Sequence, residues 1–377
     1  MSKSKYKSEN LIIDTAGNEY FRGEYGIMWG VYDGWVQCQN VHVKGSERLI
    51  ETIFLNCQTK EVIQLPVEEN IFFGQYRGKK QIIFMSYDKS KKLLTGLWDV
   101  MRARPLLSAA YSDVFHVPNS TDIYAVIDKK NHLQHRGEGD KLIQDFGAIT
   151  DRYYVVEDER PSLVVHKKEN KQNRCYCIDL QTGKKHGPEF ICMGELWEGI
   201  RHVRLLDGKD YMVDRDWNIL YELPLAVYIG GGGLERTESE VRCRDGLISI
   251  MGEKTSCLIN RDGEIIIKPR KHRYIHNVGE SSLLVSKGNH LALADIDGSP
   301  KTDFIYKSAD ILKDSGSIDC CDYAFSENRL FVIKKEGRLL KFGCLDSDGN
   351  ECIPFIYDLA NAPLMFSKGF ASVSYDD

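Results

Sequence analysis

One short pattern recurs along the whole of this 377-residue chain and limits what it can fold into. A run of apolar residues leads to Asp or Asn, then to a few turn residues that often end in Gly, then to a second apolar run. The Asp or Asn side chain can bond its own backbone to start a turn, and Gly supplies the positive φ that closes it. Each copy is therefore predicted to be a β-hairpin. The nine predicted anchors are Asp14, Asn56, Asp99, Asp128, Asp179, Asp214, Asn260, Asp295 and Asp346.

The spacing of the anchors predicts a repeat architecture. Eight steps from Asp14 to Asp346 give a mean of 41.5 residues, with gaps of 29 to 51. In five copies a proline follows the anchor by 8 to 10 residues, which is typical of a strand end because proline lacks a ladder donor. A lone hairpin cannot bury its apolar face, so such units must stack. We expect an all-β protein of about eight to nine hairpin-based units, arranged as a closed β-propeller-like ring. The alternatives are an open β-solenoid or two smaller β-domains.

The ends of the chain fit together in the repeat order. The C-terminus stops just after a Gly-x-Ala-x-Val strand, and the N-terminus opens with the hairpin that would come next. The two ends are therefore expected to share one sheet and close the ring, which removes the exposed edges of an open array. Residues 1–10 are predicted to be flexible and residues 11–377 to form one array, with a candidate seam at the glycine run 230–233.

The last repeat carries a longer and more specific pattern. Its residues are Phe342-Gly343, Leu345-Asp346, Gly349, Ile353-Pro354, Tyr357-Asp358, Ala360, Phe366, Gly369, Ala371 and Val373. Here the chain resembles the WG-repeat (KWG-like) family of bacterial proteins, over roughly the last third of its length. Earlier copies keep only the hairpin and the proline, and none has Trp-Gly at its first position. The resemblance implies a β-repeat scaffold that mediates protein contacts, and it brings no catalytic residues.

Composition excludes several classes of protein. The chain has 50 Lys and Arg against 55 Asp and Glu, a net charge of −5, which argues against a general nucleic-acid coat. No apolar run is long enough to span a membrane, and the N-terminus lacks the apolar core of a signal peptide. Eleven cysteines without a small-domain framework fit thiols in a reducing compartment. We therefore expect a cytoplasmic protein with no membrane partner.

Motifs for chemistry are weak throughout. The acidic turns at 295–298 and 346–349 lack the further oxygen ligands of a calcium loop, and the cysteine pairs lack zinc spacing. The glycine run 230–233 is not followed by the Lys-Ser/Thr of a phosphate loop. No catalytic residue, metal ligand or cofactor is predicted.

Two groups of residues are candidate contact sites. Four aromatic residues lie among glycines in one segment: Tyr25, Trp29, Tyr32 and Trp35. They are expected either to pack in the core or to form an exposed protein-contact patch. The densest positive run is a solvated loop or a patch for an anionic partner: Lys268, Arg270, Lys271 and Arg273.

These observations predict a non-catalytic scaffold or regulatory subunit that binds another protein in a bacterial cytosolic complex, such as a conflict or defence system. One alternative is a propeller-type hydrolase or lyase with a site at the central opening. The other is a subunit that touches nucleic acid through the basic run, although direct nucleic-acid binding is disfavoured by the acidic chain.

Overall fold

The structure is a computed structural model. It describes residues 8–23, 27–44, 47–67, 71–74, 81–87, 91–117, 123–156, 162–169, 172–228, 241–271, 274–307, 324–337, 339–360 and 366–376. Regular structure in these segments is β-strand apart from one turn of 3-10 helix, Glu138–Asp140. The all-β class is therefore confirmed.

The chain divides into two compact units. The first unit comprises Met1–Ala110, Asn289–Leu293 and Lys301–Asp377, and the second comprises Tyr111–Gly288 and Ala294–Pro300. The glycine run 230–233 lies outside the described residues, so the single array and its seam stay predictions. Residues 8–10 of the segment predicted to be flexible belong to the first strand.

The strands that lie wholly or mostly in the first unit are β1 (Ser8–Asp14), β2 (Glu19–Gly23), β3 (Ile27–Tyr32), β4 (Trp35–Lys44), β5 (Glu47–Asn56), β6 (Val62–Gln64), β7 (Ile71–Phe73), β8 (Gln81–Tyr87), β9 (Leu93–Asp99), β10 (Arg104–Tyr111), β28 (His290–Asp295), β29 (Tyr306–Lys307), β30 (Leu330–Glu336), β31 (Leu339–Leu345), β32 (Glu351–Tyr357), β33 (Leu359–Ala360) and β34 (Phe370–Asp376). They form sheets in the orders β2-β1-β34-β33, β3-β4-β5-β6 and β10-β9-β8-β7, with β28 to β32 adjacent in sequence order.

The first and last strands of the described chain lie side by side. β1 pairs antiparallel with β34 over seven residue pairs, from Ser8 opposite Asp376 to Asp14 opposite Phe370. The prediction that the two ends share one sheet is therefore confirmed.

The strands of the second unit are β11 (Asp113–His116), β12 (Ile123–Ile127), β13 (His132–Gly137), β14 (Lys141–Ala148), β15 (Arg152–Val156), β16 (Ser162–Glu169), β17 (Gln172–Asp179), β18 (Lys185–Met193), β19 (Ile200–Leu205), β20 (Asp210–Asp214), β21 (Ile219–Glu222), β22 (Val241–Arg244), β23 (Leu247–Met251), β24 (Thr255–Asn260), β25 (Ile265–Lys271), β26 (Ile275–Gly279) and β27 (Ser282–Lys287). Strands β11 to β14, β15 to β21 and β22 to β25 form three sheets in sequence order, and β26 pairs with β27.

The predicted anchors start their turns as the sequence indicates. All nine lie between consecutive strands of one sheet. In eight of them the side-chain oxygen accepts a hydrogen bond from a backbone N–H two or three residues on, as in Asp14 to Ala16 at 2.9 Å. At Asp295 the turn is held by the backbone, since Gly298 N donates to the Asp295 carbonyl at 2.8 Å.

The cores lie between the faces of successive sheets. In the first unit, Leu11 and Val373 from the terminal sheet pack with Phe331 and Ile353 from β30 and β32. In the second unit, Ile127 and Leu133 pack with residues of β16 and β17. Each hairpin thus buries its apolar face against the next sheet, which is what the repeat spacing requires.

Candidate protein-contact surfaces

Two of the four residues of the predicted aromatic patch have described side chains, and both pack in one core cluster. Trp35 is only 9% exposed and packs with Phe54 and Trp98 in a core cluster of the first unit, where the half-buried Tyr32 lies against it. Tyr25 and the Trp29 side chain lie outside the described residues. Trp35 therefore serves packing, the first of the two roles that its sequence left open.

The basic run lies on β25, the outer strand of the sheet β22 to β25. Lys268 and Arg270 are exposed, and neither forms an ion pair within the described part of the chain. Lys271 ends the strand, but its side chain and Arg273 as a whole lie outside what the structure describes. Isoleucines at the start of the same strand are also exposed, Ile265 by 47% and Ile266 by 40%. We call Ile265, Ile266, Lys268 and Arg270 the β25 face.

Local sequence explains why β25 is an outer strand. Pro269 has no N–H for a further ladder partner, so it suits a sheet edge or a bulge. Two register shifts in the pairing with β24 add extra residues to β25, one on each side of Leu258. Such bulges twist an edge strand and oppose the addition of another strand. The β25 face therefore offers side chains rather than its backbone to a partner.

The cysteines are buried thiols. Eight of the nine in the described segments are buried, and Cys352 is half-buried. Burial raises the pKa of Cys38, Cys175 and Cys257 to about 12. Cys175 Sγ lies 3.2 Å from His166 Nδ1, but a thiol with so high a pKa carries almost no thiolate at neutral pH, and the thiolate is the nucleophile.

A Ser–His pair in the sheet β15 to β21 has the wrong proton arrangement for a nucleophile. Trp217 Nε1 donates to His186 Nδ1 at 2.9 Å, so the imidazole proton sits on Nε2. That nitrogen lies 3.1 Å from Ser162 Oγ and is therefore the donor. While the Trp217 bond lasts, His186 cannot accept the serine proton as a general base must.

A second buried pair, His202 and Asp210, is built into the packing of the second unit. His202 Nε2 lies 2.7 Å from Asp210 Oδ1. The same carboxylate accepts from Arg204 at 3.0 and 2.8 Å and from Val227 N at 3.0 Å. These donors lower the Asp210 pKa, while burial opposes them and also lowers the His202 pKa. His202 Nδ1 has no partner among the described residues, so no described nucleophile completes a triad.

The acidic turns use their carboxylates internally. Asp346 Oδ1 accepts from Asp348 N at 3.1 Å and from Asn350 N at 2.8 Å, and its Oδ2 accepts from Asn350 Nδ2 at 3.0 Å. These bonds lower the Asp346 pKa against the opposing effect of burial. Over the described ranges, no group of three or more His, Cys, Asp or Glu side chains is placed to hold a metal ion.

A long hairpin made by β4 and β5 was not predicted from the sequence. The two strands pair over ten consecutive residues, from Trp35 opposite Asn56 to Lys44 opposite Glu47, without a register shift. Among the described residues, the pairing of β4 with β3 reaches Gln39 and the pairing of β5 with β6 reaches Ile53. The alternating Val41-His42-Val43 before Gly45-Ser46 was the available signal, since Gly-Ser between strand-like runs is typical of a tight hairpin.

A second series of turns was also not predicted from the sequence. Among the described residues, both central residues have positive φ in six tight turns, as in type I′ hairpins. The central pairs are Asp33-Gly34, Glu198-Gly199, Asp245-Gly246, Glu280-Ser281, Glu327-Asn328 and Lys368-Gly369. The Asp-Gly pairs are a strong hairpin signal, whereas glutamate at positive φ is not expected from turn chemistry alone.

Comparison with known proteins gives a family match for the last repeat and several solved structures of similar fold. Residues 342–377 match the family described as WG containing repeat, which confirms the resemblance of the last repeat. No curated protein sequence matches the chain significantly. No helix in the described segments is long and apolar enough to cross a membrane.

Several solved structures resemble the chain at low identity. A crystal structure titled as the eukaryotic initiation factor is 9% identical with a TM-score of 0.53, over 99% of this chain and 98% of that one. BamB from Moraxella catarrhalis is 11% identical with a TM-score of 0.40, over 93% and 100%. The β-propeller domain of the Trilobed protease from Pyrococcus furiosus is 12% identical with a TM-score of 0.38, over 74% and 97%. At these identities a likeness concerns the fold alone.

Proposed function

Because residues 342–377 form a WG-type repeat at the end of a chain of β-hairpins, we propose that this protein is a non-catalytic scaffold that binds a partner protein. The observation that carries the proposal is the β25 face, which exposes two isoleucines beside two cations without ion-pair partners among the described residues. Apolar anchors next to positive charges suit an acidic partner surface with an apolar centre.

The buried chemistry supports a scaffold over an enzyme. The thiol Cys175 has a pKa raised to about 12, His186 donates toward Ser162, and Asp210 is occupied by three neighbours. These three groups are thus engaged in contacts inside the described chain. We infer that the function lies in surfaces and not in a catalytic constellation.

We further propose that the repeats close as a propeller-like ring. Support comes from the seven residue pairs between β1 and β34, which join the two ends of the chain. Such pairing is the way a ring of sheets removes its open edges. A closed array would hold the β25 face rigidly, and rigid surfaces lose less entropy on binding.

The test is a charge reversal on the β25 face. Tagged wild-type protein and the variant Lys268→Glu/Arg270→Glu are used to capture partners from native lysate, and any partner is then purified and titrated against both. A matched variant, Lys130→Glu/Lys335→Glu, makes the same charge change at exposed lysines elsewhere. We expect the β25 variant to weaken direct binding of an acidic partner at least about tenfold, and the matched variant to leave it unchanged.

The outcome also separates the alternatives. Equal binding by both variants overturns the assignment of the β25 face. Capture of nucleic acid in place of protein, with binding that falls steeply as salt rises, supports the nucleic-acid alternative instead. Retained thermal stability of each variant shows that the fold is intact.

A further inference from the structure

The β4–β5 hairpin is the longest ladder of the described chain, and it extends past both neighbouring strands without a bulge. The β16–β17 ladder does the same over three pairs, from Lys167 opposite Arg174 to Glu169 opposite Gln172. Five residue pairs, from Asn40 opposite Glu51 to Lys44 opposite Glu47, lie beyond the described pairing with β3 and β6. The outer strands β14, β21 and β25 instead carry register shifts. Bulges oppose strand addition and a regular ladder permits it.

Hydrogen bonds fix which backbone groups of β5 face outward. Leu65 N donates to Thr52 O at 3.0 Å, and Asn56 N donates to Glu61 O at 2.9 Å, so Thr52 and Asn56 present their polar groups to the β6 side. Backbone direction alternates along a strand, so residue 50 presents its groups to the same side. Within the described residues, no strand pairs with β5 beyond this point. Ile50 N–H and C=O therefore form an edge that is open as far as the described residues go.

The side chains at this edge define the chemistry of an added strand. Leu49 and Glu51 share one face, and Ile50 and Thr52 share the other. Leu49 and Ile50 are half-buried. The Glu51 carboxylate accepts a hydrogen bond from Gln64 Nε2 at 3.1 Å and lies 3.5 Å from His42 Nε2. A two-stranded ribbon is marginally stable in water, so this segment gains from a third strand.

A second copy of the chain is a poor occupant of this edge. Antiparallel pairing about a two-fold axis sets one residue opposite its own copy. Centred on Ile50, the register sets Leu49 opposite Glu51, and centred on Leu49 it sets Glu51 opposite Glu47. An apolar side chain opposite a charged one is an unfavourable cross-strand pair, and so are two like charges opposite each other. A strand with a cation opposite Glu51 and an apolar residue opposite Leu49 satisfies both positions.

We propose that the outer edge of β5 around Ile50 receives an extended segment of a partner protein as an added strand, with alternating basic and apolar residues. The inference rests on the proposed scaffold function but concerns a surface in the first unit, whereas the β25 face lies in the second. The affinity would come from main-chain hydrogen bonds and the selectivity from alternate side chains.

The experiment uses a short labelled peptide of alternating lysine and valine, and a glutamate–valine peptide as its counterpart. Ile50→Pro removes the outward N–H while leaving the bonds of β5 to β4, and Ile50→Ala keeps that N–H and shortens the side chain. We expect the lysine peptide to bind the full chain and to slow amide exchange in residues 47–52. Ile50→Pro should weaken binding about tenfold, and Ile50→Ala by less. Glu51→Lys should shift the preference to the glutamate peptide.

Absence of lysine-peptide binding to the wild-type chain overturns the proposal, and so does binding that Ile50→Pro leaves unchanged. Thermal unfolding of Ile50→Pro within a few degrees of wild type shows that the variant folds. The β25 variant Lys268→Glu/Arg270→Glu should bind the peptide normally. If the peptide binds but no partner depends on the β25 face, the proposal that this face binds a partner fails. The proposal that β5 receives an added strand is then still supported.

Discussion

The Glu327 carboxylate accepts a 2.8 Å hydrogen bond from the backbone N–H of Gly369, which lies 42 residues further along the chain. Both residues are in tight turns with positive φ. Glu198 likewise accepts from Asp245 N at 2.7 Å and from Gly246 N at 3.1 Å. An acidic residue of one turn thus caps the turn of the next sheet, which explains why glutamate occupies an unfavourable backbone conformation.

These caps should stabilise the packing of successive sheets. Replacing Glu198 with Ala removes two hydrogen bonds from backbone N–H groups, one from the Cys243 thiol and an ion pair with Arg261. The site is exposed, and we expect a loss of about 1 kcal/mol in the free energy of unfolding. Glu198→Gln retains an acceptor oxygen and should lose less. Urea unfolding of both variants measures the difference, and equal losses would show that the capping bonds contribute nothing.

Alanine substitutions at two glycines distinguish the stability cost of backbone strain from the cost of side-chain crowding. Gly183 has φ +68°, and a Cβ there would overlap the ring of Phe146, whereas Gly208 has φ +81° and its Cβ would meet no described atom within 4 Å. Gly208→Ala should cost about 1 kcal/mol from the positive φ alone. Gly183→Ala should cost about 1 to 3 kcal/mol more, because the Phe146 ring must also move. Similar thermal melts for the two variants would contradict this difference.

The stability of the second unit should fall as the solution becomes acidic. Burial lowers the pKa of His202 and of His166 in the folded chain. The unfolded chain gains protons as the pH falls through about 6.5, but these folded histidines do not, so the free energy of unfolding decreases below that pH. The lowered Asp210 pKa acts only in a lower range, below pH about 4.

The variant His202→Gln tests this pH dependence. Glutamine keeps an N–H for Asp210 but does not titrate, so its urea midpoint should change less between pH 7 and pH 5 than that of the wild type. The exposed His42 provides the matched control, and His42→Gln should keep the wild-type change. If His202→Gln keeps the wild-type pH dependence, then a group other than His202 causes the loss of stability at low pH.

The buried thiols should resist alkylation in the folded protein. The pKa of Cys38 and Cys257 is raised to about 12 by burial, and both side chains are inaccessible. Iodoacetamide at pH 8 should therefore label these residues only after unfolding, and Cys352 should react first among the described cysteines. Mass spectrometry of peptides from native and urea-treated protein measures the order. Fast labelling of Cys38 in the native protein would show that the core opens.

The sequence predicts features whose cause is local. An Asp such as Asp14 bonds N–H groups within four residues, so its hairpin follows from turn chemistry. The basic run is predicted as a solvated loop or a patch, whereas Lys268 and Arg270 lie on the strand β25, so its contiguous charges are visible in the sequence but its place in the sheet is not.

Features that join distant residues are harder to predict. The Glu198 cap depends on residues 245 and 246 reaching a neighbouring sheet, and nothing near Glu198 in the chain indicates them. The role of Trp35 depends in the same way on Trp98, which enters the core from another sheet. A single sequence contains the turn residues in both cases but not their pairing in space.

The pairing of the chain ends has a direct energetic consequence. Leu11 of β1 lies opposite Val373 of β34, and both are buried in the same core cluster. Leu11→Ala should cost about 3 kcal/mol and Val373→Ala about 2 kcal/mol. Because the two side chains touch one core from paired strands, their effects should not add. We expect a coupling energy of about 0.5 to 1 kcal/mol in the double-mutant cycle.

A second cycle provides the control for this coupling. Val164 is buried in a separate cluster of the second unit, so Leu11→Ala and Val164→Ala share no partners and should add within about 0.5 kcal/mol. Urea unfolding of the single and double variants measures both cycles. Additive losses for Leu11 and Val373 would mean that the terminal strands are not paired in solution, and the shared sheet that supports ring closure would then be absent.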